Sequence, residues 1–357
     1  MNPHSPQKVY VGLSGGVDSS VSAALLKEEG YEVTGVFIKA WYPDFLNCNW
    51  KEEKRDVMRV CAHLDIPFKL LDLSKEYKEG VIDYLVEEYQ KGRTPNPDVM
   101  CNKEIKFGGF FDWAIKEGAD YVATGHYAQT KQIDSGEYRL FKSKDQNKDQ
   151  TYFLWTLQQK HLEKTLFPIG HLEKQEVRKL AKKYDLFTSV KKDSQGLCFL
   201  GALDMKQFLK KYIDAKEGNV LNESGEIIGK HQGAELYTLG ERHGFEIFKK
   251  NPATKPLFLI NKDLLKNTIT VSEEKPVTHS LNNSLIKLSN LNLNSKISQN
   301  EVEVEVRFRY RQELKKAILN IQNNTLSNIE DTEIATTGQS AVFYQKSQCL
   351  GGGVIES

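Results

Sequence analysis

Residues 1–210 of the chain predict an α/β fold on a parallel sheet, followed by a small linker domain over 211–275 and a C-terminal β-barrel over 276–357. Three observations carry this reading. Strand-like and helix-like apolar periodicities alternate from Val9 onward, which implies a parallel sheet covered on both faces, with ligands at the carboxyl ends of its strands. After about Tyr212 the pattern breaks into short segments punctuated by Asn222-Glu223-Ser224-Gly225-Glu226 and His231-Gln232-Gly233, the mark of a small mixed unit ending near Lys275-Pro276. The tail then alternates strictly: Val302, Val304, Val306, Phe308 and Tyr310 face one way, and Glu301, Glu303, Glu305, Arg307 and Arg309 the other. One face of such strands is buried, and several of them in succession suggest a small barrel.

The first strand is read from Val9, Val11 and Leu13 at period two, and the first helix from Val17, Val21, Ala24 and Leu25 up to Gly30. Gly12-Leu13-Ser14-Gly15-Gly16-Val17-Asp18-Ser19 therefore spans a strand-to-helix turn. Its glycines let the backbone approach a ligand, and the serine hydroxyls and helix-start N–H groups form a cradle for an anion such as phosphate. Neither the Walker A spacing nor the dinucleotide Gly-x-Gly-x-x-Gly spacing occurs here.

A second strand follows over 31–39, then a loop from Trp41 to Trp50, a helix to about His63, and a third strand over 68–73. Ser74 is placed to cap a helix over 75–90. In Arg93-Thr94-Pro95-Asn96-Pro97-Asp98-Val99-Met100-Cys101, two prolines fix an extended approach, and the helical pattern resumes after Cys101. That puts Cys101 near a helix N-terminus with Lys103 and Lys106 close in sequence, features that favour a reactive thiolate. Tyr121 to Tyr127 reads as a strand ending in a turn that brings Gly125 and His126 to the edge holding the first loop. A hairpin over 132–141 turns at Asp134-Ser135-Gly136, and Asn147 to Leu154 opens an amphipathic helix. Lys148 and Gln150 there suit contact with phosphate or base, and equally plain solvent exposure. Lys191 to Gly201 is a second polar loop, in which Cys198 has two lysines nearby; its separation of 97 residues from Cys101 leaves open whether the two meet.

Composition excludes several classes. The 357 residues carry a net charge of +1, so the chain as a whole is neither strongly basic nor acidic. Between Lys142 and Lys192, however, twelve Lys/Arg stand against six Asp/Glu, a stretch that suits nucleic acid or a solvated helix face. Five cysteines (Cys48, Cys61, Cys101, Cys198 and Cys349) without a Cys-x-x-Cys pair argue against a disulfide scaffold, an iron–sulfur cluster or a structural zinc. No signal-like or membrane-spanning apolar run is present, so a cytoplasmic location is expected, with any reactive thiol serving catalysis.

Ser-Gly-Gly-x-Asp-Ser resembles the pyrophosphate loop (PP-loop) of the ATP pyrophosphatases, which cleave ATP to AMP and pyrophosphate and use the AMP to activate a carbonyl oxygen. The fuller pattern is similar to the bacterial tRNA-specific 2-thiouridylase family. It joins Gly12 to Ser20, the Asn96-Pro97-Asp98-Val99-Met100-Cys101-Asn102-Lys103 segment, Ala123 to Tyr127, Asn147 to Phe153, Asp193-Ser194-Gln195-Gly196-Leu197-Cys198-Phe199, Arg309-Tyr310-Arg311-Gln312 and Gly338 to Gln345. The resemblance implies a Rossmann-like, adenine nucleotide alpha-hydrolase-like catalytic domain. It implies ATP with Mg2+ as the activating pair, tRNA as substrate, and a persulfide-carrying protein (a cysteine desulfurase or sulfur relay) as the source of sulfur. The C2 oxygen of the wobble uridine is adenylated and replaced by sulfur, giving 2-thiouridine, AMP and pyrophosphate.

By the same resemblance Cys198 corresponds to the persulfide carrier. Cys101 corresponds to the nucleophile that frees the sulfur and forms a transient disulfide with Cys198, and Asp98 to an acid/base. Gly12, Leu13, Ser14, Gly15, Gly16, Val17, Asp18, Ser19, Ile38 and Gly125 correspond to nucleotide contacts; relatives carry methionine at Ile38, and an apolar replacement preserves packing on adenine. Asn96, Pro97, Asp98, His126, Lys148, Asp149, Gln150, Arg309, Tyr310 and Gln345 correspond to tRNA contacts. Two rival readings stand beside it: an amidating PP-loop synthetase, for which no glutaminase segment is present, and a nucleotide-sensing or RNA-binding module without turnover, against which Asp18, Cys101 and Cys198 argue together.

Overall fold

The computed structural model describes residues 6–45, 50–192, 196, 198–201, 203–249, 255–274, 277–278, 285–329, 332–333 and 335–356. Cys48, the end of the 41–50 loop, Asp193 to Gln195, Leu197 and the Lys275-Pro276 boundary lie outside them.

The first sheet follows from the periodicities. Strands β1 (Lys8–Leu13), β2 (Glu32–Lys39), β3 (Phe68–Asp72) and β4 (Tyr121–Thr124) are joined by a hairpin, β5 (Ala128–Gln132) with β6 (Tyr138–Lys142), to β7 (Thr165–Leu166). The sheet order is β3-β2-β1-β4-β7, and all its pairings are parallel. Val9, Val11 and Leu13 of β1 pack on Ala23 and Leu26 of helix α1 (Val17–Glu28) and on Val57, Val60 and Cys61 of helix α2 (Trp50–His63). On the opposite face Tyr10, Val36 and Ile38 meet Tyr77, Val81 and Phe110 from the helices that follow β3. Burial on both faces is why the central strands are apolar at nearly every position.

The middle unit is a second five-stranded sheet of β8 (Gly218–Leu221), β9 (Ile227–His231), β10 (Glu246–Ile247), β11 (Phe258–Asp263) and β12 (Thr268–Ser272), in the order β10-β9-β8-β12-β11. Its Val220, Leu236, Tyr237 and Ile269 share one core with Tyr77 and Phe208, so it buttresses the first domain. The tail holds β13 (Val277–Thr278), β14 (Ile286–Leu293), β15 (Glu301–Arg307), β16 (Lys315–Asn320), β17 (Thr325–Ser327), β18 (Thr332–Glu333), β19 (Ser340–Gln345) and β20 (Gln348–Ile355). The run β14-β17-β16-β15-β19-β20 closes through a β14–β20 pairing into a six-stranded barrel with Val304, Val306 and Phe308 inside.

The barrel is fastened to the catalytic domain. Hairpin β5–β6 extends its sheet, with Leu140 and Phe141 opposite Cys349 and Gln348. Tyr152 donates its hydroxyl to the Phe308 and Ser340 carbonyls (3.0 and 3.2 Å), and Arg93 forms a two-pronged ion pair with Glu356 (2.8 and 3.0 Å). Gln339 donates to the Thr94 carbonyl at 2.8 Å. The segment leading into Asn96-Pro97-Asp98 is therefore set by the barrel.

Four local expectations are corrected. Asn147 to Leu154 is not an amphipathic helix but a loop with one 3-10 turn, Thr151–Phe153. Its polar groups are spent elsewhere: Asp149 accepts from the Ser143 N–H (3.1 Å) and the Thr151 hydroxyl (2.8 Å), and Gln150 accepts from the Tyr127 N–H (2.9 Å). Such side-chain bonds compete with helix. The helix over 75–90 is capped by Asp72, which accepts from the Ser74 N–H, rather than by Ser74, and its middle, Lys78–Asp83, is π-helical. The helix expected to begin after Cys101 starts at Pro97, where the Asn96 side chain accepts from the Asp98 and Val99 N–H groups. Proline at the first helical position costs no hydrogen bond, which is why it opens this helix instead of delaying it. The hairpin begins at Ala128, four residues ahead of its expected start.

Candidate functional site

The loop between β1 and α1 is shaped by close approaches. Gly15 takes a φ of +71°, and a Cβ on it would lie 3.2 Å from the Glu53 carbonyl oxygen. Ser19 and Ser20 donate their hydroxyls to the Gly16 carbonyl (3.3 and 2.8 Å), and the Ser14 N–H donates to Ser19 Oγ (3.3 Å). Gly125, just past β4, presses on the start of α1: a Cβ there would stand 2.7 Å from the Ser19 nitrogen. Ile38 lies buried near the end of β2, at the same sheet edge.

Two lysines reach this loop: Lys174, visible in the sequence only as part of the basic stretch, and Lys191, which the sequence set beside Cys198 and which is bonded here instead. Lys174 grips both carboxylate oxygens of Asp18 (2.7 and 2.8 Å), which also accepts from the Tyr127 hydroxyl (2.8 Å). Lys191 donates to the Gly15 carbonyl (3.1 Å) and to Asp56 (2.8 Å), while Arg178 holds the Ser189 and Lys191 carbonyls. The loop thus has helix-start N–H groups, hydroxyls and two ammonium groups around one turn, a set suited to a polyphosphate.

The second cluster joins distant segments. Cys101 and Cys198 bring their Sγ atoms to 3.2 Å, with the Cys101 thiol donating. Cys101 is fully buried, and burial together with that hydrogen bond holds its proton on. The expectation of a thiolate at Cys101 is therefore corrected, because desolvation penalises the charged form. Cys198 is pulled the other way, first by the bond from Cys101 and then, against burial, by the charge of Lys106. Its main chain is gripped on both sides. Asp98 accepts from the Cys198 N–H (3.1 Å), Tyr77 donates to the Cys198 carbonyl (2.7 Å) and Tyr42 to that of Phe199 (2.6 Å), whose φ is +67°. Burial raises the Asp98 carboxyl above its usual range. Tyr42 and Tyr77 were missed from sequence, since nothing local ties them to residue 198.

Lys106 sits beside both cysteines and 3.3 Å from Nε2 of His126, whose Nδ1 is 2.7 Å from the Thr124 hydroxyl. Burial opposes its charge, but the sulfurs and Asp98 outweigh burial and Lys106 stays protonated. Burial, with Lys106 adjacent, pushes His126 well down, so the imidazole is neutral. Three consecutive residues link the two clusters: Gly125 packs on α1, His126 meets Lys106, and Tyr127 bonds Asp18. Cys61 and Cys349 are buried apart from both, with thiols pushed up to about 11 and about 12, and serve as packing. Among the described residues no group of three or more His, Cys, Asp or Glu forms a metal cage.

Residues 7–202 match the model described as tRNA methyl transferase HUP domain, 206–273 the tRNA methyl transferase PRC-barrel domain, and 283–355 the aminomethyltransferase beta-barrel domain. The tRNA-specific 2-thiouridylase MnmA of Streptococcus thermophilus is 44% identical over 365 residues, covering 100% of this chain and 97% of the relative. That of Enterococcus faecalis is 43% identical with the same coverage. The chain belongs to the tRNA-specific 2-thiouridylase family. Among solved structures, the U34-tRNA thiolase NcsA from Methanococcus maripaludis is 19% identical over 58% of this chain and 64% of its own, at a TM-score of 0.37, too slight a likeness to build on.

The residues that the family resemblance assigns to tRNA fall into two groups. Gln345 is exposed at the β19–β20 turn. Tyr310 is part-buried, its ring tilted 45° against Phe153 at 4.6 Å between centroids and lying under the Arg311 guanidinium, which itself donates to the Asn147 carbonyl beside Lys148. Arg309 donates to the Leu239 carbonyl at 3.3 Å. Asn96 and Pro97 form the capped start of the helix carrying Asp98. His126 and Asp149, by contrast, are buried and bonded within the protein; Asp149 also faces Arg307 at 3.8 Å. They hold the Thr124–Tyr127 and Ser143–Thr151 turns rather than present a surface.

Proposed function

We propose that the chain thiolates C2 of the wobble uridine of tRNA at the expense of ATP, with the following division of labour. The β1–α1 loop, Lys174 and Lys191 hold the triphosphate. The uridine O2 attacks the α-phosphorus, pyrophosphate leaves, and the N3 proton passes to Asp98, whose raised affinity for a proton suits that exchange. Adenylation turns a poor leaving group into AMP. Cys198 receives sulfur from a persulfide-carrying donor protein and carries it as the persulfide anion Cys198–S–S⁻. The Cys101 thiol attacks Cys198 Sγ as its proton passes to the outer sulfur, forming the Cys101–Cys198 disulfide and expelling hydrosulfide. Hydrosulfide adds at C2, AMP leaves, and a proton returns to N3, giving 2-thiouridine. A dithiol reductant then restores both cysteines.

Asp18 fits a magnesium ion travelling with the nucleotide: it is a part-exposed hard oxygen donor beside the loop, already paired with a cation at Lys174, and phosphates and water would complete the shell. Bound there, magnesium would neutralise phosphate charge. tRNA contact is assigned to Lys148, Gln150, Arg309, Tyr310 and Gln345, with Asn96, Pro97 and Asp98 at the target base. The family models divide the chain close to the 1–210, 211–275 and 276–357 scheme, which we retain as its working architecture. Among the described residues no helix is long and apolar enough to cross a membrane.

The observation that carries this reading is the meeting of Cys101 and Cys198 at 3.2 Å beside a phosphate loop, which an ammonia-using synthetase does not need. Purified protein incubated with unmodified tRNA, ATP, magnesium, a persulfide donor and a dithiol reductant, followed by nucleoside mass analysis, should give ATP-dependent 2-thiouridine. tRNA-stimulated pyrophosphate release without that nucleoside would refute it.

A further inference from the structure

Lys106 lies on the π-helical stretch Cys101–Phe110, five residues beyond Cys101, and its ammonium is surrounded by Cys198, Cys101, Asp98 and His126. A buried ammonium is stable only where anions face it. Two groups face it with negative charge to offer: Asp98, one oxygen of which accepts from the Cys198 N–H at 3.1 Å, and the Cys198 sulfur, which accepts from Cys101 at 3.2 Å while the fully buried Cys101 keeps its own proton.

The partner on the other side of Lys106 is a neutral imidazole. An ammonium only donates, so Nε2 of His126 accepts and its Nδ1–H points to Thr124 Oγ1. The ring is fixed further by packing on Phe107 and Phe167 (centroids 5.9 and 6.1 Å). Thr124 ends β4, so the chain β4–Thr124–His126–Lys106 ties the ammonium to the rigid sheet.

Resting on the reading of Cys198 as the sulfur carrier, we infer that Lys106 is a catalytic residue, the counter-cation of the Cys198 thiolate and persulfide anion, and that His126 is the positioning residue that aims it. A persulfide on Cys198 keeps the anion within reach of the same ammonium, and the hydrosulfide expelled by Cys101 is born beside it.

The test is peptide-resolved alkylation of the full-length chain by iodoacetamide across pH, which needs neither ATP nor tRNA. The groups facing Cys198 in that titration are Lys106, Cys101, Asp98, His126 and the hydroxyls of Tyr42 and Tyr77. In the unmutated chain, Cys198 should alkylate with a midpoint below the ordinary thiol value of about 8.5, with Cys101 lagging far behind. Lys106→Met should raise the Cys198 midpoint by at least about one pH unit, a roughly tenfold loss of thiolate at neutral pH. Lys106→Arg should restore most of it, and His126→Leu should give a smaller shift in the same direction. An unchanged midpoint in Lys106→Met overturns the inference. So does an unmutated Cys198 that titrates at or above the ordinary value, a result that decides the matter even where the variant does not fold. Failure of the thiolation reading shows separately, as the absence of 2-thiouridine from reactions of the unmutated chain.

Discussion

Residues 9–20 supply the nucleotide loop from one strand, one turn and one helix, whereas the sulfur site draws Asp98, Cys101 and Lys106 from one segment, His126 from a second and Cys198 from a third, braced by Tyr42 and Tyr77. The loop is a local structure shaped by its own backbone. The sulfur site is a tertiary one, in which burial and neighbouring charge decide what each side chain is. Two cysteines 3.2 Å apart accordingly differ in kind: Cys101, fully enclosed, holds its proton, and Cys198, at the receiving end of the bond from Cys101 and beside Lys106, parts with its proton more readily.

The largest effects should fall on the sulfur site. Cys101→Ser and Cys198→Ser should each lower thiolation by at least about a thousandfold, since removing a nucleophile ends that route. Circular dichroism should show both folded, and 2-thiouridine formation is the readout. Residual thiolation above about a tenth in either variant would dissolve the contrast drawn between the two thiols.

The junction of the two regions comes next. Gly125→Ala puts a Cβ 2.7 Å from the Ser19 nitrogen, backbone that cannot swing aside. ATP-dependent pyrophosphate release and thiolation should fall together, roughly tenfold or more, with a lowered Tm. A variant that lost thiolation alone would show that Gly125 serves only the sulfur site. At the loop, Lys191→Gln should raise the KM for ATP about three- to tenfold, as expected for loss of one charge-assisted phosphate contact. Alkylation of Cys198, measured without ATP, should stay as it was.

The smallest effects belong to the packing cysteines. Cys61→Ala and Cys349→Ala should cost about 1–2 kcal/mol of stability through lost core volume, seen as a lower Tm, with activity per folded molecule unchanged. A loss of thiolation there would mean that the chemistry extends beyond the pair.

How much could be read in advance follows the same division. The β1–loop–α1 unit and the alternating tail were legible because period-two and period-3.6 patterns and glycine placement are local. The protonation of Cys101 was misjudged: a place near a helix N-terminus beside Lys103 and Lys106 suggested a thiolate, yet Met100, Ile105 and Phe110 carry the residue into the core. Asn147 to Phe153 misled for a similar reason, its polar side chains being committed to Ser143, Thr151 and Tyr127 rather than to a helix face. Lys174 was visible only as surplus charge and Lys191 only as a neighbour of Cys198, because their targets, Asp18 and Gly15, lie more than 150 residues upstream.

The most direct test of the account is a single turnover with enzyme loaded with persulfide at Cys198, mixed with ATP, magnesium and unmodified tRNA, without reductant, and quenched by alkylation. Mass analysis should find one Cys101–Cys198 disulfide for each 2-thiouridine formed. 2-Thiouridine appearing while both cysteines remain free for alkylation would contradict the assignment of Cys101 as the group that releases the sulfur.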